Sequence, residues 1–189
     1  NMFIQTEQTP NPQTLKFLPG KVVMDEGTAF YQNVDEAGNS PFARRLFAIE
    51  GVSGVFFGSD FITITKSDAY EWQVMKPSVL GGIIDHFNSE DKTVEKDAEK
   101  EAEKSLQTNE DDSDIVKQIK ELLDTRVRPA VAMDGGDIIY NDFADGVVYL
   151  KMQGACSGCP SSTATLKMGI ENMLKHYIPE VQEVRPVDA

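Results

Sequence analysis

The sequence predicts an α+β protein of two small domains, over residues 2–88 and 114–189, which are joined by a flexible acidic linker over residues 89–113. Two observations lead to this prediction. Strand-like and helix-like segments follow one another in the order β-β-α-β-β-α in the first domain and α-β-β-α-β in the second. Between the domains, the apolar periodicity of the flanking segments stops. The first block, of about ninety residues, is long enough to bury its own hydrophobic core.

Turn-forming residues predict the first half of the N-terminal domain. Residues 3–6 and 14–18 are short strand-like segments, and a Thr-Pro-Asn-Pro sequence between them favours a turn because proline blocks a helix. Ser40 and Pro41 then form a helix start, in which a capping hydroxyl precedes a proline. We expect this short amphipathic helix to stop at Gly51.

The second half of this domain is predicted to be a β-hairpin followed by a helix. Residues 54–57 and 61–65 are aromatic and β-branched runs joined by a Gly-Ser-Asp turn. Proline suits the first turn of a helix, so the last helix of the domain is expected to start at Lys76-Pro77. Its apolar face is formed by Val79, Leu80, Ile83, Ile84 and Phe87.

A change of composition marks the linker. From Ser89 to Asp114 there are eleven acidic residues against four lysines, a net charge of −7 in a chain whose total is −13. Lysines recur every fourth residue beside glutamates, a spacing that permits a transient solvated helix. We expect this segment to be a solvated spacer rather than an acidic docking tract.

An amphipathic helix and a second hairpin predict the C-terminal domain. The helix is capped at residues 112–114 and is expected to end at Pro129. Residues 138–140 and 147–152 are expected to pair as strands. They are followed by the cysteine-containing loop, a long helix and a final strand over residues 181–184.

Composition excludes several classes of function. With a net charge of −13, the chain would be repelled by nucleic acid and by anionic lipid, so we expect no nucleic-acid and no membrane partner. It contains no apolar run long enough to span a bilayer. Two cysteines in 189 residues do not form the disulfide framework of a secreted domain, which favours a reducing compartment. Met2, as a plausible natural start without a targeting peptide, favours the bacterial cytoplasm.

The two cysteines lie in the sequence Gly154-Ala155-Cys156-Ser157-Gly158-Cys159, immediately before the last long helix. Two thiols separated by two residues can direct their sulfurs at one metal centre, and the glycines allow the backbone to curl around it. The partial positive charge of the helix N-terminus favours thiolate, so we expect lowered cysteine pKa values. Cys156 and Cys159 are therefore the predicted metal and cofactor ligands.

The number of thiols indicates a site shared between chains. One chain offers two sulfurs, whereas an iron–sulfur cluster is usually held by four protein ligands. This favours a cluster that bridges two copies, or one copy together with small-molecule thiols. His86 and His176 stand at no ligand spacing from the cysteines, and we interpret both as surface helix residues. Asp134 and Asp137 belong to an Asp-Gly-Gly-Asp sequence that is typical of a turn.

No nucleophile–base pair, phosphate-binding loop or carboxylate pair is recognisable elsewhere, so we predict no enzyme activity and no catalytic residue. The segments that resemble a known family are the cysteine motif at 156–162, the upstream segments 121–129 and 134–137, and the N-terminal segments 9–17, 56–63 and 72–77. The first three are similar to the NifU-like C-terminal domain of Nfu-type iron–sulfur cluster proteins. The others resemble the Nfu N-terminal domain of mitochondrial members and their α-proteobacterial relatives.

This resemblance implies a scaffold or carrier of iron–sulfur clusters. By it, Cys156 and Cys159 of two protomers would hold a [4Fe–4S] cluster, and the loaded protein would be a homodimer. The implied partners are upstream cluster donors and apo iron–sulfur client proteins. The implied location is the bacterial cytoplasm, or the mitochondrial matrix in a eukaryote. The N-terminal domain contains no cysteine, so we expect it to recognise donors or clients.

Two other functions remain open. A thiol–disulfide oxidoreductase also presents a C-x-x-C motif before a helix, but its fold begins with a different order of elements, and no aromatic residue precedes Cys156. A zinc site with four thiolates from two chains would make the protein a dimeric interaction module. Zinc is colourless, so visible absorption separates this function from a cluster carrier.

Overall fold

The computed structural model describes residues 2–94, 101–157 and 160–187. The chain divides into two compact units, Asn1–Glu99 and Lys100–Ala189, which we call the N-terminal unit and the C-terminal unit. Each unit combines a sheet with helices, which confirms the predicted α+β class. Across the described residues, no helix is both long enough and apolar enough to cross a membrane.

A five-stranded antiparallel sheet forms the base of the N-terminal unit. Its strands are β1 (Gln5–Gln8), β2 (Thr14–Leu18), β3 (Ala29–Tyr31), β4 (Val52–Phe57) and β5 (Ile62–Lys66). They lie in the order β1-β2-β5-β4-β3. The pairing of β4 with β5 confirms the predicted hairpin. The sequence did not predict β3, because three residues are too few to show an alternating pattern.

Two helices and a short 3-10 turn complete the N-terminal unit. The turn is Val34–Asn39, and the helices are α1 (Pro41–Phe47) and α2 (Trp72–Asn88). The Ser40 hydroxyl oxygen accepts the N–H of Ala43 at 2.9 Å, which confirms the predicted cap of α1. Both helices share one hydrophobic core with the sheet, formed in part by Phe17, Phe42, Leu46, Val55, Phe57, Ile62, Ile64, Val79 and Ile83.

The predicted start of α2 at Lys76-Pro77 is wrong. The helix begins at Trp72 and contains Pro77 in its interior. Proline has no N–H to donate to the carbonyl four residues earlier, which belongs to Gln73. Gln73 and Pro77 are both exposed, so water can hydrate the carbonyl that loses its helical partner. The exposed side of α2 therefore tolerates a proline that the sequence pattern placed at a helix start.

The C-terminal unit contains a three-stranded sheet and five helical segments in its described residues. The helical segments are α3 (Glu101–Leu106), α4 (Asp114–Leu122), a π-helical turn (Leu123–Val127), α5 (Arg128–Met133) and α6 (Pro160–Tyr177). The strands are β6 (Gly136–Ala144), β7 (Val147–Gly154) and β8 (Glu183–Pro186). β6 and β7 form the predicted antiparallel hairpin, whereas β8 runs parallel to β7 after the α6 crossover.

The predicted end of the first long helix at Pro129 is wrong. The helical path continues from α4 through the π-helical turn into α5, which ends at Met133. Pro129 is the second residue of α5. Pro129 has no N–H to donate, and the helical path is already irregular beside it, because the Arg128 N–H donates to the Leu123 carbonyl five residues earlier. The π-helical turn shifts the hydrogen-bond register immediately before this position.

The end of the acidic segment packs onto the C-terminal unit, which differs from the expected solvated spacer. Leu106 is 6% exposed and belongs to the hydrophobic core of this unit. The hydroxyl of Ser105 accepts the N–H of Tyr140 in β6 at 2.9 Å. The buried amine of Lys120 donates to the Gln107 carbonyl and to Asp112 at 3.0 and 2.8 Å. These contacts attach the segment around α3 to β6 and α4.

Candidate functional site

Cys156 lies in a tight turn between β7 and α6. β7 ends at Gly154, whose φ of +69° is a conformation that L residues with a side chain rarely adopt. The Ser157 N–H donates to the Gly154 carbonyl at 3.1 Å, and the Thr163 hydroxyl donates to the Cys156 carbonyl at 2.9 Å. The turn is therefore connected at one end to the strand and at the other to the first part of α6.

The sulfur of Cys156 lies inside the C-terminal unit. Cys156 is 4% exposed and belongs to the hydrophobic core. A Cβ atom added to Gly136 would lie 3.1 Å from the Cys156 Sγ and 2.4 Å from the Gln153 carbonyl oxygen. The neighbouring Gly135 carbonyl accepts the Ala155 N–H at 3.1 Å. Glycine is thus required at residue 136 for this sulfur to pack against the beginning of β6.

Burial also changes the acidity of this thiol. Its pKa is raised from 9.0 to about 12, first by burial and then by the negative charges of Asp134 and Asp137. The expectation that the helix N-terminus lowers the pKa is therefore wrong for Cys156. Removal of the thiolate from water outweighs the helix charge, which acts only near the first turn. In this conformation Cys156 is a protonated, sequestered thiol.

The second predicted ligand, Cys159, lies outside the described residues, so its role stays a prediction. In the parts of the chain that the structure describes, no three His, Cys, Asp or Glu side chains are placed to hold a metal ion. The chemistry of the described site is thus that of one thiol.

The predicted turn at residues 134–137 is shorter than expected, and one of its aspartates has a different role. The turn comprises Asp134 and Gly135, whereas Gly136 and Asp137 begin β6. Asp137 is 3% exposed and binds the Arg128 guanidinium through two hydrogen bonds, of 2.9 and 3.0 Å. Sequence reasoning missed this pair because residues on a helix and a strand have no fixed spacing that would reveal their contact.

The histidines differ from one another. His176 is exposed, as predicted. His86 is 3% exposed, so its interpretation as a surface residue is wrong. Its ring stacks on Phe42, with 3.8 Å between ring centroids, and its Nδ1 has no hydrogen-bond partner. The last turn of α2 faces the core of the N-terminal unit, which the helical pattern around Phe87 did not reveal.

Comparisons with known proteins match both units. A model described as the N-terminal domain of the scaffold protein Nfu/NifU matches residues 4–90, and a NifU-like domain matches residues 119–185. The chain is 54% identical to NifU-like protein 4, mitochondrial, of Arabidopsis thaliana, over 97% of this chain and 65% of that protein. It is 51% identical to the human NFU1 iron-sulfur cluster scaffold homolog, mitochondrial, over 98% of this chain and 72% of that protein. The chain belongs to the Nfu family of scaffold proteins.

Membership of the Nfu family confirms the resemblance found in the sequence. The human relative is named as a scaffold homolog and not as an enzyme. Among solved structures, the chain is similar to the solution structure of a NifU-like protein from Saccharomyces cerevisiae, with 26% identity and a TM-score of 0.46. That similarity covers 51% of this chain and 87% of the yeast protein. Both of the plant and human relatives are named as mitochondrial proteins.

Proposed function

We propose that this Nfu protein carries a [4Fe–4S] cluster between proteins, with Cys156 and Cys159 of two chains as its four ligands. The name of the human relative, an iron-sulfur cluster scaffold homolog, supports the cluster as cargo. The observation that carries the proposal is the position of Cys156, in a tight turn between the end of β7 and the beginning of α6. Two thiols per chain supply four ligands only when two chains pair.

Binding requires the Cys156 sulfur to leave its contact with Gly136. Gly154, the last residue of β7, has a positive φ and can absorb the necessary backbone rotation. The cost of forming a thiolate here is offset by the positive charge of the metal centre, since a coordinating thiol is deprotonated. Because the Cys156 sulfur can return to the core once the cluster has left, the site favours transfer of the cluster over its retention.

The partners follow from this role. Upstream cluster donors load the protein, and apo iron–sulfur client proteins receive the cluster. The N-terminal unit, which has no cysteine, recognises donors or clients. We place the protein in the mitochondrial matrix, supported by the names of the relatives, or in the cytoplasm of a bacterium.

Anaerobic reconstitution with iron and sulfide tests the proposal. The full chain is compared with Cys156→Ala, Cys159→Ala and the control Met168→Ala, whose side chain is 63% exposed on α6. We expect a brown species that absorbs near roughly 400 nm, where thiolate-to-iron charge transfer occurs. This species should have twice the monomer mass and contain about four iron atoms per dimer. It should form in Met168→Ala but in neither of the two cysteine variants.

Other results would contradict the proposal in distinct ways. A colourless dimer with one zinc ion, after reconstitution with iron and zinc in competition, would indicate a zinc-dependent interaction module. A colourless monomer that catalyses disulfide reduction would indicate an oxidoreductase. A coloured species at the monomer mass without added small-molecule thiols would exclude the bridging of two chains.

A further inference from the structure

Arg128 and Asp137 form an ion pair at the beginning of β6, the strand end that contacts the cysteine turn. Arg128 Nε and Nη2 donate to the two carboxylate oxygens of Asp137, and Arg128 Nη1 lies 3.5 Å from Asp124 Oδ1. The Arg128 side chain is 18% exposed and that of Asp137 is 4% exposed. Two parallel N–H···O bonds fix the orientation of the carboxylate, and the guanidinium also compensates its negative charge.

The oriented carboxylate of Asp137 also binds the backbone of β6. Its Oδ1 also accepts the N–H of Ile138 at 2.8 Å, so the same oxygen contacts the guanidinium and the strand. Asp137 pairs with Gln153 across the sheet, and Gly136 pairs with Gly154. The beginning of β6 is thereby held opposite the end of β7, where the cysteine turn starts.

The same end of β6 supports Cys156. The Gly135 carbonyl accepts the Ala155 N–H at 3.1 Å, and the Cys156 sulfur packs where a side chain of residue 136 would lie. Residues 135 and 136 therefore contact the cysteine turn, and the next residue, Asp137, lies opposite Gln153 of β7 and binds Arg128. A shift of this strand end would move the surface against which the sulfur is buried.

We propose that Arg128 is a positioning residue for Cys156: by binding Asp137 through two hydrogen bonds, it fixes the beginning of β6 against which the Cys156 sulfur packs. The importance of this position for cargo binding rests on the proposed function, whereas the positioning itself does not depend on it. A guanidinium cation is not a metal ligand, so Arg128 acts on the site through Asp137 and Gly136.

A second buried cation in the same unit provides a matched control. The Lys120 side chain is 6% exposed and donates to Asp112 and to the Gln107 carbonyl. Its ammonium also lies 5.2 Å from the centre of the Tyr140 ring, further along β6. A change at Lys120 removes a buried charge from this unit without breaking a contact that leads to Gly136.

The experiment compares Arg128→Met, Arg128→Lys and Lys120→Met in the full chain with Cys159→Ser, so that Cys156 is the one remaining thiol. The first readout is the rate of alkylation of Cys156 by iodoacetamide. The second is hydrogen exchange of the Ala155 amide. Because a buried thiol reacts through local opening, we expect Arg128→Met to raise both rates about tenfold. We expect Arg128→Lys to raise them about threefold, since lysine keeps the charge but not the paired donors.

The outcomes separate positioning from electrostatics and from general stability. If Arg128 acted only through its charge, its loss would leave Asp137 uncompensated and disfavour the thiolate, so alkylation would slow while Ala155 exchange stayed the same. If the effect were general, Lys120→Met would raise both rates as much as Arg128→Met. Either result overturns the inference, as does unchanged Ala155 exchange in both Arg128 variants.

These readouts need no cargo, so the inference and the proposed function fail separately. If the chain with both cysteines binds no cluster in the reconstitution, faster exchange and alkylation in the Arg128 variants would still support positioning while the carrier function fails. If the chain with both cysteines binds a cluster but the Arg128 variants show unchanged rates, the carrier function stands and the positioning fails. Arg128→Lys retains a cation beside Asp137 and provides the test if Arg128→Met does not fold.

Discussion

Buried His86 in the N-terminal unit and buried Asp137 in the C-terminal unit are accommodated in opposite ways. In the N-terminal unit, the His86 ring stacks on Phe42 and leaves Nδ1 without a hydrogen bond. In the C-terminal unit, Asp137 is buried with two hydrogen bonds from Arg128. A neutral imidazole can be buried as an aromatic ring, whereas a carboxylate needs a bonded cation. The buried ring of His86 thus contributes to the packing of the N-terminal core, whereas the buried carboxylate of Asp137 supports the strand end beside the cysteine turn.

This comparison predicts that changes in the N-terminal core destabilise one unit and leave the other intact. The side chain of Phe42 is fully buried and stacks on Phe57 and His86. We expect Phe42→Ala to reduce the stability of the N-terminal unit by about 4 kcal/mol. Trp72, the single tryptophan, reports unfolding of this unit by fluorescence in urea. Equal loss of protection at Ala155 would contradict the independence of the two units.

The stability of the N-terminal unit should depend on pH because the imidazole of His86 is buried. Burial, followed by the charge of Arg45, lowers the pKa of His86 from 6.5 to about 4, against a smaller opposing effect of Asp91. The unfolded chain therefore binds a proton below pH 6.5 that the folded chain does not bind until about pH 4. Stability is retained above pH 6.5 and falls towards pH 4 by about 3 kcal/mol, at 1.4 kcal/mol per unit.

The measurement is urea unfolding followed by Trp72 fluorescence between pH 7.5 and 4. His86→Gln is the control, because glutamine does not titrate and the acidic residues common to both chains cancel in the comparison. The wild-type chain should lose more stability than His86→Gln over this interval. Parallel pH profiles would show that His86 does not resist protonation in the folded chain.

In the C-terminal unit, a side chain placed in the space beside Cys156 should change both the stability of the unit and the reactivity of the Cys156 thiol. A methyl group at residue 136 would lie 2.4 Å from the Gln153 carbonyl oxygen, so Gly136→Ala requires the backbone to move. We expect a loss of about 3 kcal/mol and faster alkylation of Cys156. Gly169→Ala is the control, since no atom lies within 4 Å of the added methyl in α6. That change should stabilise the unit by about 0.5 kcal/mol.

The smallest expected effect concerns the docked end of the acidic segment. Leu106 is 6% exposed in the core of the C-terminal unit. We expect Leu106→Ala to reduce the stability of this unit by about 2 kcal/mol, the lower end of the range for a buried leucine. Hydrogen exchange at Tyr140, whose N–H donates to Ser105, should increase at the same time. A stability equal to that of the exposed-site control Met168→Ala would show that α3 is only loosely attached.

Local patterns predicted much of the fold because they depend on neighbours in the chain. The Ser40 cap, the β4–β5 hairpin and the β6–β7 hairpin all follow from short-range sequence signals. The tight turn between β6 and β7 uses Asp145 and Gly146, with φ of 53° and 81°. These are residue types that favour positive φ, so sequence alone identifies such a turn.

The incorrect predictions share a different cause. The sequence pattern predicts a helix start at Pro77 and a helix end at Pro129, but each proline lies within a longer helical path. Leu106 lies in a segment whose charge predicts a solvated spacer, yet the core of the C-terminal unit buries it. In each case the surroundings of the residue decided the outcome: water can hydrate the exposed Gln73 carbonyl, the π-helical turn precedes Pro129, and the core buries Leu106.

The two-unit α+β organisation, the family and the cysteine motif were all predictable from the sequence, because these depend on the order and type of residues. Only the tertiary structure decided that Cys156 is a buried thiol with a raised pKa, and that Arg128 binds Asp137 beside it. Burial and ion pairing join residues that are distant in the chain, so their strength depends on which surfaces exclude water, and no spacing in the sequence encodes that.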